Sequence, residues 1–183
     1  DSLLSRLVAP LTPVDFLSGY WQQRPLHVQN DHNRDMFRGL YTREMLETGI
    51  SQNLYDRDYF RFVDGDGYRS NDTFSPEDGE GKIDPNKVRA FFEQEGGSVV
   101  VDYVHRYHHA LNATWQALVA TFGFPATCTA YFTPPGGQTF PTHWDTDDVF
   151  VLHLAGSKRW TVHEPVVRDA LEHQRWGQYD YEL

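Results

Sequence analysis

The pattern of hydrophobic and polar positions changes near residue 125, from helical spacing to runs that are typical of strands. Thr12-Pro13 places a capping residue before a proline, which predicts the start of a helix. Two further helices are predicted over 42–47 and 84–95, the second ended by two glycines. The longest helix is predicted over 103–122, where apolar residues recur on one face. These residues are Val104, Tyr107, Leu111, Trp115, Leu118 and Phe122.

β-Structure is predicted in two parts of the chain. A hairpin is expected over 59–69, because aromatic and apolar residues flank an Asp-Gly-Asp-Gly turn. Residues 98–101 are predicted to form either a brief strand or the lead into the helix that follows. In the C-terminal part, the apolar runs at 127–133, 148–155 and 158–163 predict three more strands.

Together these elements predict one structural unit of the α+β class. A chain of 183 residues is long enough to bury a sizeable core. We expect a mainly helical section with a β-hairpin over 1–125, and a β-rich section over 126–183. The polar stretch 70–82 carries Gly and Pro and is predicted to be a mobile loop, and a helix is predicted over 165–176.

Composition and charge narrow the class of function. The chain has 16 Lys and Arg against 26 Asp and Glu, a formal net charge of −10. Direct nucleic-acid binding is therefore not expected, and a basic protein or peptide partner suits the chain better. Cys128 is the only cysteine, which excludes an internal disulfide and favours a reducing compartment, here the cytoplasm. No apolar run approaches the roughly 18 residues that a membrane helix needs, and no signal peptide is visible.

His143 and Asp145 are the strongest candidates for chemistry, because they lie two residues apart after a Pro/Gly-rich turn. Residues i and i+2 of a strand face the same side, so both side chains could point into one cavity. One imidazole and one carboxylate are two thirds of the 2-His-1-carboxylate face that binds non-haem Fe(II). Lys158 follows across a turn and suits a dicarboxylate cosubstrate such as 2-oxoglutarate. By itself, however, a His-x-Asp tripeptide is often an ordinary surface pair.

Three other patterns carry weaker signals. His105 and His109 have the spacing of zinc ligands on a helix, but a solvated helix face is the better interpretation. The segment 64–67 is similar to a calcium loop but lacks the acidic residue at position twelve, so a turn is favoured. The acidic segment 77–80 could face a basic substrate, although a solvated loop is the better interpretation.

Two stretches of the chain resemble the cupin-like JmjC oxygenases. The first is Tyr20-Trp21-Gln22-Gln23-Arg24-Pro25-Leu26. The second runs from Tyr131-x-Thr133-Pro134-Pro135-Gly136-Gly137 through His143-x-Asp145-x-x-Asp148-Val149-Phe150 to Gly156-x-Lys158-x-Trp160. Within that superfamily the chain resembles the ribosomal oxygenases, which hydroxylate arginine or histidine side chains of ribosomal proteins. The resemblance implies a double-stranded β-helix of the cupin/JmjC jelly-roll type, with the helical section packed on it.

The resemblance also assigns roles to residues of the second stretch. It implies that His143 and Asp145 bind Fe(II), and that Lys158 pairs with the distal carboxylate of 2-oxoglutarate. Tyr131 matches a position that lines the cosubstrate pocket, and Thr139 lies in the loop before the metal ligands, where contacts with the pocket are expected.

Two further matches carry no metal chemistry. Trp160 matches a tryptophan that packs, and Asp148 is expected to orient the turn or to help hold a cationic substrate.

One metal ligand is missing from the pattern. In the family a second histidine follows an acidic-Leu-x-Pro-Gly-Asp segment, and Tyr181-Glu182-Leu183 is similar to the start of that segment. We therefore expect the third ligand beyond Leu183, in a longer protein whose barrel continues past the strands present here. The alternatives are substitution by His153, His163 or His173, or a degenerate domain without metal.

The function predicted from these residues is an Fe(II)- and 2-oxoglutarate-dependent dioxygenase that hydroxylates a protein side chain, with Arg or His of a ribosomal protein as leading substrates. One alternative is hydroxylation of a free amino acid or a peptide natural product. Another is a non-catalytic cupin-like binding module, favoured if the chain truly ends at Leu183. Nothing in the sequence supports histone demethylation over hydroxylation. A homodimer formed through a region outside this chain is compatible with all of these.

Overall fold

Helices dominate the first two thirds of the chain. The computed structural model describes residues 2–29, 35–65, 67–77, 79 and 81–177. The α-helices are α1 (Leu3–Val8), α2 (Pro13–Gly19), α3 (Arg43–Ser51), α4 (Pro85–Glu93) and α5 (His109–Phe122). Short 3-10 helices span Arg57–Tyr59, Asn71–Phe74, Val104–Arg106 and Glu172–Gln174. None of the helices within these described ranges has the length and apolar character needed to cross a bilayer.

The predicted helix starts are confirmed by their caps. Thr12 and Asp15 form a reciprocal capping box at α2, in which Thr12 Oγ1 accepts from the Asp15 amide at 3.1 Å. Thr42 Oγ1 accepts from an amide in the first turn of α3. Asp84 caps α4 in the same way, with Pro85 as its first residue. These side chains satisfy amides that have no partner inside the helix, which fixes where each helix begins.

The strands form one antiparallel sheet in the order β2-β1-β3-β4. The strands are β1 (Phe60–Asp64), β2 (Gly67–Arg69), β3 (Ser98–Val101) and β4 (Ala130–Phe132). β1 and β2 form the predicted hairpin, and β3 resolves the two alternatives for 98–101 in favour of a strand. Because β3 pairs with β4, the sheet joins residues on both sides of the division expected at 125/126. The fold is thus α+β, as predicted.

One face of the sheet packs against α3 and α4 to form the larger core. Phe62 is fully buried there, with its ring stacked on Phe74 at 3.7 Å and edge-on to Phe91 at 5.9 Å. Stacked and edge-to-face rings at these distances add to the free energy of burial. The core comprises Tyr41, Leu46, Ile50, Tyr55, Phe60, Phe62, Phe74, Ile83, Val88, Phe91, Val99, Val101, Val104 and Leu111.

A second, smaller hydrophobic cluster joins the N-terminal helices to α5 and to the segment after the metal motif. Phe16 is buried at its centre, and Trp21 stacks on Phe122 at 4.5 Å. Phe150 and Leu152 pack against the same cluster. The N-terminal section therefore holds a part of the chain that lies more than 120 residues away in sequence.

The predicted helix over 103–122 is shorter in the structure and starts at His109. Tyr103 adopts a left-handed backbone with φ 56°, and a 3-10 turn follows it. The amide of Val104 donates to the carbonyl of Cys128 at 3.0 Å. This cross-link ties the chain to the segment before β4, so residues 103–108 cannot continue as an α-helix.

The strand predictions for 148–155 and 158–163 are wrong in this structure. Both segments have irregular backbone, because no described residue forms a strand ladder with them. The predicted alternation survives in the burial of the side chains. Phe150, Leu152 and Leu154 are half-buried, whereas the residues between them are exposed. The period of two is a local property, but a strand also needs a partner.

Two further expectations are corrected. The stretch 70–82, predicted as a mobile loop, contains the 3-10 helix Asn71–Phe74 and buries Phe74 in the core. The helix predicted over 165–176 is reduced to Glu172–Gln174, and Asp169 just before it has φ 52°, which interrupts helical backbone. The strand predicted at 127–133 is confirmed over Ala130–Phe132.

A buried polar chain crosses the larger core. The hydroxyl of Tyr41 lies 2.9 Å from that of Tyr55, which lies 2.7 Å from His108 Nε2. Both tyrosines are buried, and the ring of Tyr55 covers Gly49 of α3. Burial raises the pKa of both phenols, and burial lowers the pKa of His108. These three side chains are therefore uncharged, and each depends on its neighbour for a hydrogen bond.

We expect Gly49→Ala to destabilise the protein by about 1–3 kcal/mol, as overpacked cores do. A Cβ at this position would lie 2.3 Å from Tyr55 Cε2, and the hydrogen bond to Tyr41 restrains that ring. Urea denaturation measures the change. Gly65→Ala is the matched control, because nothing lies within 4 Å of its Cβ. Equal midpoints for the two variants would contradict this packing.

We expect the melting temperature to fall between pH 7.5 and pH 5.5, in part because of His108. An unfolded histidine binds a proton near pH 6.5, whereas burial lowers the pKa of folded His108. Below about pH 6.5 the unfolded chain therefore binds more protons than the folded one, and stability decreases. His108→Gln should reduce this pH dependence in thermal melts. His109→Gln, at an exposed neighbour, should leave it unchanged, and an unaltered slope in His108→Gln would refute the assignment.

Candidate metal centre

His143 and Asp145 lie close together, as predicted, although they are not on a strand. The Nε2 atom of His143 is 3.9 Å from Asp145 Oδ2. Both side chains are exposed, His143 by 36% and Asp145 by 60%. The pair is thus accessible from solvent, and irregular backbone brings the two groups together instead of the expected i, i+2 strand geometry.

The hydrogen bond of the other ring nitrogen orients the imidazole of His143. Nδ1 lies 2.7 Å from the carbonyl oxygen of Pro141. A carbonyl can only accept, so Nδ1 carries the proton, and in the neutral ring Nε2 has a free lone pair. The ring of Phe140 contacts His143 edge-on at 5.7 Å. This hydrogen bond therefore leaves Nε2 available for a metal ion, as in ligating histidines whose other ring N–H donates to a carbonyl.

The separation of the two candidate ligand atoms is larger than it would be around a bound ion. Metals bind imidazole nitrogen and carboxylate oxygen at about 2.0–2.2 Å, so neighbouring ligands of an octahedral ion lie about 3 Å apart. His143 Nε2 and Asp145 Oδ2 lie 3.9 Å apart, so they would have to approach each other by roughly 1 Å to bind one ion on a facial site. A third ligand is not provided by the residues that the structure describes, since no group of three His, Cys, Asp or Glu side chains there could hold a metal. His153, His163 and His173 form no such group with the pair in the described residues, and a third ligand beyond Leu183 stays a prediction.

Lys158 contacts a neighbouring tryptophan. Its Nζ is 4.7 Å from the centroid of the Trp160 ring, and Trp160 is 57% exposed. Within the described chain no recorded contact joins Lys158 to His143 or Asp145. The predicted packing role of Trp160 is thus limited here to a cation–π contact at the surface, and the predicted role of Lys158 toward 2-oxoglutarate stays a prediction.

Tyr131 lies on the sheet face opposite the larger core. It pairs with Val100 of β3, which in turn pairs with Arg61 of β1, so these three residues lie on one face. Arg61 donates to Asp102 Oδ1 at 2.8 Å. Burial acts to lower the pKa of Arg61, but the hydrogen bonds and charge of Asp102 and Tyr131 raise it overall. A fixed cation therefore lies beside Tyr131, on the face that leads to the metal pair.

Phe140 links this face to the metal pair. Its ring contacts Tyr131 at 6.4 Å and Tyr68 at 6.0 Å, and the guanidinium of Arg61 lies 5.9 Å above it. The same ring contacts His143. The loop before the metal ligands is therefore packed onto the sheet, and its position is set by β1, β2 and β4 together.

Thr139 anchors that loop through a triangle of hydroxyl groups. Thr139 Oγ1 donates to Ser98 Oγ at 3.1 Å and lies 2.9 Å from Thr133 Oγ1. The Ser98 and Thr133 hydroxyls are 3.4 Å apart. Thr139 and Ser98 are both buried. The structure thus places Thr139 under the loop as a support, and its predicted contact with the cosubstrate pocket stays a prediction.

Two residues with contacts at this site were missed by the sequence analysis. Gln22 Nε2 donates to Asp148 Oδ2 at 3.1 Å, and Arg61 lies beside Tyr131. The signal for Gln22 was its place in the N-terminal signature. The signal for Arg61 was a charge in the middle of an apolar strand, flanked by Phe60 and Phe62.

The tryptophan between the metal candidates fixes the segment that follows. Trp144 Nε1 donates to the carbonyl of Gln174 at 2.9 Å, and its ring meets Trp176 edge-on at 5.0 Å. Trp144 therefore points away from the pair and holds residues 174–176 against the motif.

The interpretation of His105 and His109 as a solvated helix face is wrong for His105. This residue lies in the 3-10 helix before α5 and is buried, with its ring stacked on Trp115 at 4.5 Å. The turn at 64–67 is a hairpin turn, as favoured, although Asp66 lies outside the described residues. The acidic segment 77–80 is described only in part, at Glu77 and Gly79.

Comparison with known proteins identifies a domain that overlaps the candidate site. Residues 103–179 match the model of the JmjC domain, and this range contains the metal pair, Tyr131 and Lys158. The chain is therefore similar to JmjC-domain proteins of the ribosomal-oxygenase type. It is 28% identical over 178 residues to Ribosomal oxygenase 2 of Rattus norvegicus, covering 94% of this chain and 37% of that protein.

Other JmjC relatives have similar levels of identity. Bifunctional lysine-specific demethylase and histidyl-hydroxylase NO66 of Aedes aegypti is 29% identical over 157 residues, which cover 84% of this chain and 24% of the relative. Ribosomal oxygenase 1 of Danio rerio is 27% identical over 171 residues, covering 92% and 30%. The chain thus spans less than two-fifths of the length of these curated relatives.

We expect Thr139→Val to lower stability by about 1–2 kcal/mol, because it removes a buried hydroxyl and leaves its partners Ser98 and Thr133 short of a hydrogen bond. Urea denaturation measures the loss. Thr121→Val is the control, since it makes the same change on the exposed side of α5. A loss no larger than that of the control would contradict the anchoring role.

Proposed function

We propose that the chain forms part of an Fe(II)- and 2-oxoglutarate-dependent dioxygenase that hydroxylates a protein side chain. The observation that carries the proposal is the approach of His143 Nε2 to within 3.9 Å of Asp145 Oδ2, inside the segment that matches the JmjC model. The printed names of the relatives, an oxygenase and a histidyl-hydroxylase among them, support the same type of reaction.

His143 and Asp145 would hold the iron in this proposal, together with a third ligand predicted beyond Leu183. When bound, the iron supplies the activation of oxygen that couples decarboxylation of 2-oxoglutarate to hydroxylation of a C–H bond. The carbonyl of Pro141 keeps the proton on Nδ1 of His143, so that Nε2 is free to ligate. Contact with the Phe140 ring restrains the imidazole in this orientation.

Lys158 would bind the distal carboxylate of 2-oxoglutarate. Its ammonium group is exposed and rests on Trp160. An exposed cation–π contact contributes only about 0.5–1 kcal/mol, so a charge-assisted hydrogen bond to a carboxylate can replace it. Tyr131 would line the same pocket with its exposed phenol. Thr139 would support the pocket from below, since its hydroxyl already has two partners.

The substrate class that suits the chain is a basic protein or peptide. The net charge is −10, and Asp147 is an exposed carboxylate two residues after the metal pair. Such charges attract a cationic segment and raise its local concentration. Arginine and histidine side chains of ribosomal proteins are the substrates to test first, because of the names of the relatives.

We also propose that residues 126–183 belong to a double-stranded β-helix of the cupin/JmjC type. The alternating burial of residues 149–154 supports it, since this is the pattern of a strand with one face covered. Cytoplasmic location is part of the proposal as well, and Cys128, a free and half-buried thiol, is compatible with it.

A non-catalytic binding module is the second candidate. It is favoured by the lack of a three-ligand group among the described residues and by the side-chain contact of Lys158, which is with Trp160. Demethylation is a third outcome to measure, since the name of one relative includes a lysine-specific demethylase.

The test is turnover of 2-oxoglutarate to succinate by the full-length gene product with Fe(II), with mass spectrometry of ribosomal proteins for the gain of one oxygen. We expect His143→Ala to lower turnover by more than about 100-fold, because loss of a ligand exceeds the 10- to 100-fold effect of changes around ligands. Lys158→Ala should raise the KM for 2-oxoglutarate.

His109→Ala and Arg159→Ala are the matched controls, since both change exposed residues of the same type. Equal turnover in His143→Ala and His109→Ala would refute the metal assignment. Absence of turnover in the wild type, with retained binding of a basic peptide, would favour the binding module.

A further inference from the structure

The turn after α2 places an unusual glutamine next to the metal-ligand segment. Gln22 has φ 56°, a left-handed backbone that residues with a Cβ rarely adopt. Its amide Nε2 donates to Asp148 Oδ2 at 3.1 Å, although the two residues are 126 positions apart. Strained backbone of this kind persists only where surrounding contacts hold it, and such positions cluster at functional sites.

The neighbouring Trp21 packs against the same segment, at Phe150. The ring of Trp21 stacks on Phe150 at 5.8 Å and on Phe122 at 4.5 Å. The amide of Trp21 donates to the carbonyl of Phe16 at 3.0 Å, which closes the turn. Gln22 and Trp21 therefore contact two residues of that segment, which lie two positions apart. Gln22 bonds to Asp148, and Trp21 stacks on Phe150.

The segment that they hold has little other support. Residues 146–155 form no helix or strand in the described chain, and hydrophobic side chains attach them to the two cores. Gln22 adds a directional hydrogen bond to this attachment, at a residue only three positions after Asp145. A carboxylate as acceptor makes the bond stronger than a neutral one.

We propose that Gln22 is a positioning residue, which fixes Asp148 and thereby sets where Asp145 lies relative to His143. The proposal rests on the proposed function in so far as the pair binds a metal. Both Gln22 and Asp148 are exposed, so the bond adds little to global stability, and its loss should change the site without unfolding the protein.

The test compares Gln22→Glu with Gln23→Glu in the full-length gene product. Gln22→Glu places a second carboxylate against Asp148, whereas Gln23 bonds to the carbonyl of Ser18 and lies away from the site. Both variants add the same charge one residue apart. The double variant Gln22→Glu/Asp148→Asn restores an amide–carboxylate hydrogen bond in the reverse direction.

Two measurements follow the effect. Hydrogen–deuterium exchange reports the mobility of residues 141–152, and titration with Co(II), followed by its visible absorption, reports binding at the pair. Gln22→Glu should speed exchange in this segment and weaken Co(II) binding by about tenfold, as changes beside metal ligands do. Gln23→Glu should match the wild type in both, and the double variant should recover most of the affinity at an unchanged melting temperature.

Unchanged exchange and unchanged Co(II) affinity in Gln22→Glu would overturn the positioning role. So would a failure of the double variant to recover. If the wild type binds Co(II) no better than His143→Ala, the proposed function fails, and exchange alone then decides the role of Gln22. Exchange of residues 141–152 that is faster in Gln22→Glu but not in Gln23→Glu would support the positioning role. Equal exchange in these two variants would refute it.

Discussion

The pairing of β3 with strands on both of its sides is the constraint on which the rest of the structure depends. Each residue of Ser98–Val101 is exposed by 2% or less, because β1 and β4 flank the strand and both sheet faces are covered. Val99 and Val101 meet the helices of the larger core. Ser98 lies on the opposite face and bonds to Thr139, in the loop before His143 and Asp145. The strand Ser98–Val101 thus connects the larger core to the loop before the candidate ligands.

The two faces of the sheet make different contacts because their residues differ in polarity. The face that contains Phe62 is apolar and packs rings against rings, which gives a well-defined core. The opposite face mixes Arg61, Ser98 and Tyr131. Arg61 donates to Asp102, and Ser98 accepts from Thr139 of the loop. Burial there has to be matched by hydrogen bonds, so the loop has one favoured position.

Local rules sufficed where the tertiary contacts agree with them. The cap at Thr12 and the hairpin over 59–69 follow from turn and capping chemistry that neighbouring residues decide. Spacing alone also identified His143 and Asp145 as a pair, although irregular backbone brings them together. Contacts between residues that are distant in sequence could not be predicted from local patterns. Nothing local predicts that Gln22 meets Asp148, or that 148–155 lacks a strand partner, since pairing depends on what lies alongside.

Thr139 gives the candidate site a tether of fixed length. Its hydroxyl is bound to Ser98 of the central strand, and only residues 140–142 separate it from His143. A fully extended chain spans about 3.5 Å per residue, so His143 cannot move more than roughly 14 Å from this anchor. If the neighbouring segments rearrange, the imidazole therefore stays within this distance of the sheet. A molecule that binds at His143 has to approach the sheet at this position.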